Sequence, residues 1–307
     1  MLARLLRLVL LFELFGYALL GVGLVRLAGW PPLGAFLLMP LLAALTRAWV
    51  IALGYLYAHA YRSALGAGGQ LHGAALWRQA LGEWSAFTAM GFFEAFEPLL
   101  VGADGPRRPG VGGDGAQPLL LVHGYGCNRG VWWWLKPRLE AQGRCVATLS
   151  LEPLHADIDS YAEQIARRVV WLRRETGAER VTLVGHSMGG LACLAYLRRY
   201  GEDYVARLIT LGTPHRGSGS GRLVPGRNAR QMEANSPWLA ELARYFEEMP
   251  LLIPCIAYYS PHDNLVIPPE AAMMHGAENR ALPGLGHVAM ATSPRVLAEL
   301  LAATAGD

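Results

Sequence analysis

The ten residues Val181-Thr182-Leu183-Val184-Gly185-His186-Ser187-Met188-Gly189-Gly190 constrain this chain more than any other stretch. Four aliphatic and β-branched residues bounded by glycine predict a buried strand, and the apolar run that follows predicts a helix over 188–200. A strand that turns into a helix within a few residues needs a strained backbone. Small residues two before and two after Ser187 leave room for that turn, which lifts the serine hydroxyl clear of the backbone. The helix N-terminus behind the serine also favours negative charge developing there.

From Leu119 onward short β-rich runs alternate with helical ones, the pattern of an α/β fold with a mostly parallel sheet and crossover helices. Strands are expected at 119–122, 145–151, 180–184, 206–211, 254–260 and 279–282. Helices are expected at 136–142, 157–175, 188–200, within 227–249, and at 294–304. Residues 213–250 make too long a connection for a simple crossover and read as an inserted lid. Within 119–307 this gives one domain.

The first 60 residues differ in kind, and they carry most of the excess behind a 53% hydrophobic composition. Leu5 to Ala28 and Leu33 to Tyr61 are almost continuously apolar, separated by the turn signal Gly29-Trp30-Pro31-Pro32. Arg4 and Arg7 would suit a secretory signal, but no small-residue cleavage site is evident and a second apolar run follows at once. A transmembrane two-helix hairpin over 1–62 is therefore expected. Glu13 and Arg47 each lie about seventeen residues from the centre of the turn, so an antiparallel hairpin brings them to similar depth. They either pair there or snorkel separately to headgroups. Arg4, Arg7, Arg62 and Arg78 flank the open end and only Arg26 lies near the turn. The positive-inside rule then places both ends, and the domain beyond, on the cytoplasmic side of the plasma (inner) membrane.

Residues 63–101 place Leu76, Trp77, Leu81, Trp84 and Phe87 at helical spacing, with Glu83, Glu94 and Glu97 interleaved, as in an interfacial or packing helix. Gly102 to Pro118 reads as a Gly/Pro-rich linker. The net charge of +3 comes from scattered arginines, Lys136 being the only lysine, which argues against a nucleic-acid partner. Cys127, Cys145, Cys193 and Cys255 are far apart, without metal-ligand spacing, and read as reduced and structural. No metal or cofactor is expected.

A serine hydroxyl becomes a nucleophile when a positioned base takes its proton and a third group orients that base. His287, in Gly284-Leu285-Gly286-His287, follows the last expected strand and precedes the final helix. Asp263 follows the strand over 254–260, with Glu270 and Glu278 as weaker alternatives for the orienting carboxylate. Two backbone donors must face the developing oxyanion. Met188 supplies one, and Tyr125, in His123-Gly124-Tyr125-Gly126 after the first core strand, the other. His123 and His186 are expected to hold loops by hydrogen bonds, and His215 to be a lid or loop histidine. Trp132-Trp133-Trp134 reads as core, with an acyl pocket as the sharper alternative.

On these motifs the stretch from Leu119 resembles the bacterial lipase and esterase group of α/β hydrolases. The resemblance rests on His123-Gly124-Tyr125-Gly126, Gly185 to Gly190, Gly212-Thr213-Pro214-His215-Arg216-Gly217, and the Asp263 and His287 loops. It implies an α/β-hydrolase fold and carboxylic-ester hydrolysis through an acyl-enzyme, with Ser187, Asp263 and His287 catalytic and a lipid or other ester as substrate. An acyltransferase would use the same three residues, and a membrane scaffold would keep the fold without turnover. Secreted lipases of that group carry an aspartate for calcium just after the catalytic histidine. Val288-Ala289 stands there in this chain, so calcium is not expected.

Overall fold

A computed structural model describes residues 1–61, 71–107 and 117–305. The first helix, α1 (Leu2–Ala28), stops where Gly29 turns left-handed at φ 69°, and α2 (Pro32–Ala60) starts with proline at its first position, where the missing N–H costs nothing. Both are long and apolar enough to cross a membrane by length and composition, and 6% of each apolar window is buried within the protein. Gly21 meets Ala35 and Glu13 meets Arg47, so the two helices run antiparallel. Arg47 Nη2 donates to Glu13 Oε2 at 2.6 Å and Nη1 donates to Oε1, a bidentate pair. The Tyr17 hydroxyl adds a bond to Glu13 Oε1 at 2.6 Å, and Thr46 Oγ1 lies 2.5 Å from it. Of the expected flanking arginines, Arg62 lies outside the described residues.

Helix α3 (Gly73–Ala95) covers the stretch expected to be an interfacial or packing helix. Gln79, Glu83 and Glu94 are buried on it while Trp77 and Leu81 are exposed, an orientation that the spacing alone left open. Trp84 Nε1 donates to Ala44 O of α2 at 3.0 Å, so α3 packs on the hairpin on one side and on the following domain on the other. A short α4 (Glu97–Leu100) follows, with Glu97 paired to Arg129. The expected linker is partly bound: Gly102 O accepts from Arg129 and Asp104 O from Thr148 N at 2.8 Å. Its residues 108–116 lie outside the described ones.

The remaining chain alternates β1 (Leu119–Val122), α5 (Leu135–Ala141), β2 (Val146–Leu149), α6 (Ile158–Thr176), β3 (Val181–His186), α7 (Met188–Tyr200) and β4 (Val205–Leu211). An insertion with α8 (Arg227–Gln231) and α9 (Pro237–Glu248) precedes β5 (Cys255–Tyr259), β6 (Glu278–Ala281) and α10 (Pro294–Ala303). The strands form one sheet in the order β2-β1-β3-β4-β5-β6, and every pairing is parallel. Side chains alternate across it. Leu120 and Val122 join a core with α6 and α7, whereas Leu119 and Leu121 join a second core with α5 and α10. Trp132 is wholly buried in that second core and Trp133 stacks on Phe93 of α3 at 4.2 Å. The four cysteines are buried and unpaired.

Candidate active site

The turn between β3 and α7 holds Ser187 at φ 55°, ψ −128°, and among the described non-glycine residues only Asn235 shares a positive φ. A side chain at such a φ is strained, and the strain persists because the surrounding packing over-determines it. A Cβ on Gly185 would lie 2.5 Å from Gly190, and one on Gly190 would overlap Thr213, so no larger residue fits at either place. The Ser187 amide donates to Leu211 O at 2.9 Å, which ties the turn to the end of β4.

Three loops at the carboxyl ends of neighbouring strands converge on this turn, the usual position of sites in open α/β sheets. After β1, Gly124 approaches so closely that a Cβ there would meet Ser187 Cβ at 2.8 Å and Oγ at 3.3 Å. After β4, Gly212 packs against the pair formed by Asp263 and His287, its Cβ position being 3.3 Å from both Asp263 Oδ2 and His287 Nδ1. After β5, Asp263 accepts the amides of Leu265 at 2.8 Å and Val266 at 2.9 Å on Oδ1, and His287 Nδ1 at 2.8 Å on Oδ2. The ring proton therefore sits on Nδ1, leaving Nε2 as the free lone pair. Burial alone would lower the His287 imidazole, but the Asp263 carboxylate outweighs it and holds the ring above the ordinary histidine value. Of the weaker alternatives, Glu278 pairs with Arg280, and Arg216 donates to the backbone of Glu270.

The Ser187 hydroxyl makes no hydrogen bond among the described residues, and neither do the amides of Tyr125 and Met188. The Tyr125 hydroxyl donates to Pro225 O at 2.6 Å, linking the loop after β1 to the insertion before α8. His123 Nε2 accepts the Leu151 amide at 2.8 Å while Nδ1 faces Gly124 O at 2.9 Å, so the ring braces two loops. Burial pushes it down to about 4. His186 donates from Nε2 to His287 O at 3.1 Å, its ring 4.8 Å from that of His287, and burial lowers it to about 3. His215 bonds Thr210 and is likewise lowered to about 3 by burial. All three are neutral props at ordinary pH. Among the described residues no group of three or more His, Cys, Asp or Glu is placed to hold a metal ion.

Four residues that surround the site carried no signal strong enough to be singled out for it. Asn264 Oδ1 accepts the His287 amide at 3.0 Å, and Gln79 Nε2 bonds His262 O at 2.6 Å. Glu83 takes the amides of Val288 and Ala289. Glu94 takes the Asn128 amide at 3.1 Å, and burial raises its carboxyl to about 8. The signal that could have found the α3 residues was their spacing: positions 79, 83, 86, 90 and 94 share one helical face.

A family model described as alpha/beta hydrolase fold matches residues 117–251. A triacylglycerol lipase of Pseudarthrobacter phenanthrenivorans is 34% identical over 109 residues, 33% of this chain and 34% of that protein. One of Pseudomonas fragi is 34% identical over 119 residues, 36% of this chain and 40% of that protein. The matched stretch thus spans roughly a third of the relatives' length. The crystal structure of a Bacillus licheniformis lipase in mature form superposes with TM-score 0.57 at 17% identity, covering 64% of this chain and 94% of that one. Aspergillus fumigatus lipase B gives 0.56 at 18% identity, with 66% and 55% covered. The sheet order, the strained turn after β3 and these likenesses agree: the chain has the α/β-hydrolase fold.

Proposed function

We propose that this protein is a membrane-anchored serine hydrolase that cleaves carboxylic esters of acyl chains through an acyl-enzyme. The observation that carries the reading is the 2.8 Å Asp263–His287 bond beside Ser187 held at positive φ. Ser187 Oγ attacks the ester carbonyl as His287 Nε2 takes its proton; the alkoxide leaves with that proton. Water, deprotonated by the same nitrogen, then releases the acid and regenerates the hydroxyl. Asp263 holds the ring and stabilises the imidazolium. The amides of Tyr125 and Met188, free of other acceptors, serve the oxyanion. The Ser187–His287 hydrogen bond closes when substrate docks, as apo sites commonly require.

The apolar hairpin, and α3 with Trp77 and Leu81 turned outward, support anchoring in a bilayer, and the arginines at the open end of the hairpin support a cytoplasmic enzyme. There the site takes acyl chains from lipids, of which phospholipids or lysophospholipids are the closest at hand. Similarity to triacylglycerol lipases supports acyl esters as the class. The test is turnover by detergent-solubilised full-length protein on short p-nitrophenyl esters and on long-chain lipids, with Ser187→Ala as control. Cleavage of both, abolished in the variant, is expected. Activity on short esters alone sinks the lipid substrate, and no activity on either sinks the hydrolase. Added alcohol acceptors distinguish transfer from hydrolysis by product.

A further inference from the structure

We propose that Glu83 of α3 is a positioning residue for His287, holding the chain just past the imidazole and adding a second negative charge to the buried site. The inference rests on the reading of Ser187, Asp263 and His287 given above. Glu83 is wholly buried, and its two oxygens are each committed: Oε1 accepts the Val288 amide at 3.0 Å and Oε2 the Ala289 amide at 2.8 Å. Those amides open the helical turn Val288–Thr292, whose N-cap residue is His287, and the imidazole, bonded to Asp263, caps none of them. Carboxylates are favoured at such a terminus, where orphan donors point at them. Here the cap comes from an element two hundred residues away in sequence. Gly286 shows how close the approach is, since a Cβ there would lie on top of Glu83 Oε2. One turn earlier on the same helix, Gln79 bonds Leu285 O at 3.2 Å and His262 O, so α3 grips the His287 loop and the Asp263 loop together.

Three titratable groups pack around His287: Asp263 after β5, His186 at the end of β3, and Glu83. His262 has its Nδ1 turned to the Gly284 amide. His186 is neutral, and both Glu83 oxygens accept N–H bonds, the arrangement that suits an ionised carboxylate, so in this proposal the imidazolium faces two carboxylates. Burial raises the Glu83 carboxyl, and the two amide bonds work against that by favouring the ionised form. A negative charge there makes protonated His287 easier to form, and removing it makes His287 more acidic. A cap that only stabilises the turn would change the melting temperature without moving the pH dependence of catalysis.

The experiment compares kcat/KM against pH on a short ester for full-length wild type, Glu83→Gln, Glu83→Asp and Gly286→Ala. Glu83→Gln keeps size but not charge. Its acid limb is expected at lower pH, with kcat reduced about tenfold and KM within about twofold. Glu83→Asp should restore part of the wild-type limb. Gly286→Ala, which displaces the carboxylate from the other side, should reproduce the shift and stands in if the Glu83 variants fail to fold. An acid limb superimposable on wild type in the folded variants overturns the inference while leaving the hydrolase intact. Wild type without turnover and without acylation of Ser187 overturns both.

Discussion

Both oxygens of Asp263 are committed, one to two loop amides and the other to the imidazole. An amide in its place must turn its NH2 either toward Nδ1–H or toward the Leu265 and Val266 amides. Asp263→Asn should therefore lower kcat by about ten-thousandfold, measured on a short ester, with KM little changed. Glu94 makes a different prediction at the same scale. Burial lifts its carboxyl from the ordinary 4.5 to about 8. The folded state thus holds a proton that the unfolded chain releases, and the stability this gives is full below 4.5 and lost as pH rises through about 8. The melting temperature of wild type should fall more between about pH 6 and 9 than that of Glu94→Gln. Equal slopes would show that Glu94 is ionised in its pocket. The strained turn at Ser187 and the pairing of Asp263 with His287 were legible because each of these residues follows a strand with a recognisable local pattern. Asn264 and Glu83 act on backbone amides and Gln79 on backbone carbonyls of other loops, and backbone groups leave no trace in side-chain sequence.

The strands and the helices between them were readable to within a residue or two, since a buried parallel strand and its crossover helix each impose their own period. The glycines of the β3–α7 turn were readable for the same local reason. Gly190→Ala would drive a Cβ into Thr213 and should cost about 1–3 kcal/mol or more in chemical denaturation, with activity lost. Helix α3 was only half readable. Its aromatic stripe is the signal that in water marks the core-facing side, yet here Trp77 and Leu81 face outward and the acidic residues face inward. The inversion arises because one side of α3 meets the apolar hairpin and the other meets loops whose backbone amides and carbonyls its polar side chains satisfy. Trp84→Phe, which removes the bond to Ala44 O, should lower stability in detergent by about 1 kcal/mol. An unchanged melting curve would detach α3 from the hairpin energetically.

Across the whole molecule, the hairpin and α3 each touch the hydrolase fold, the hairpin directly at Gly54 beside Asn264 and Tyr57 beside Gly219, with Glu13 and Arg47 paired between the first two helices. Two charges between apolar helices are tolerable only together. Glu13→Leu and Arg47→Leu should each lower the melting temperature in membranes more than the double variant does. A double variant whose loss equals the sum of the two single losses would mean that the pair has no energetic coupling. The central claim, that Ser187 is an activated nucleophile, is tested most directly by intact-mass and peptide analysis after a fluorophosphonate probe. The account predicts one adduct, on Ser187, absent in Ser187→Ala and formed far more slowly in Asp263→Asn. No adduct on the folded wild type, or an adduct on another residue that persists in Ser187→Ala, would contradict it.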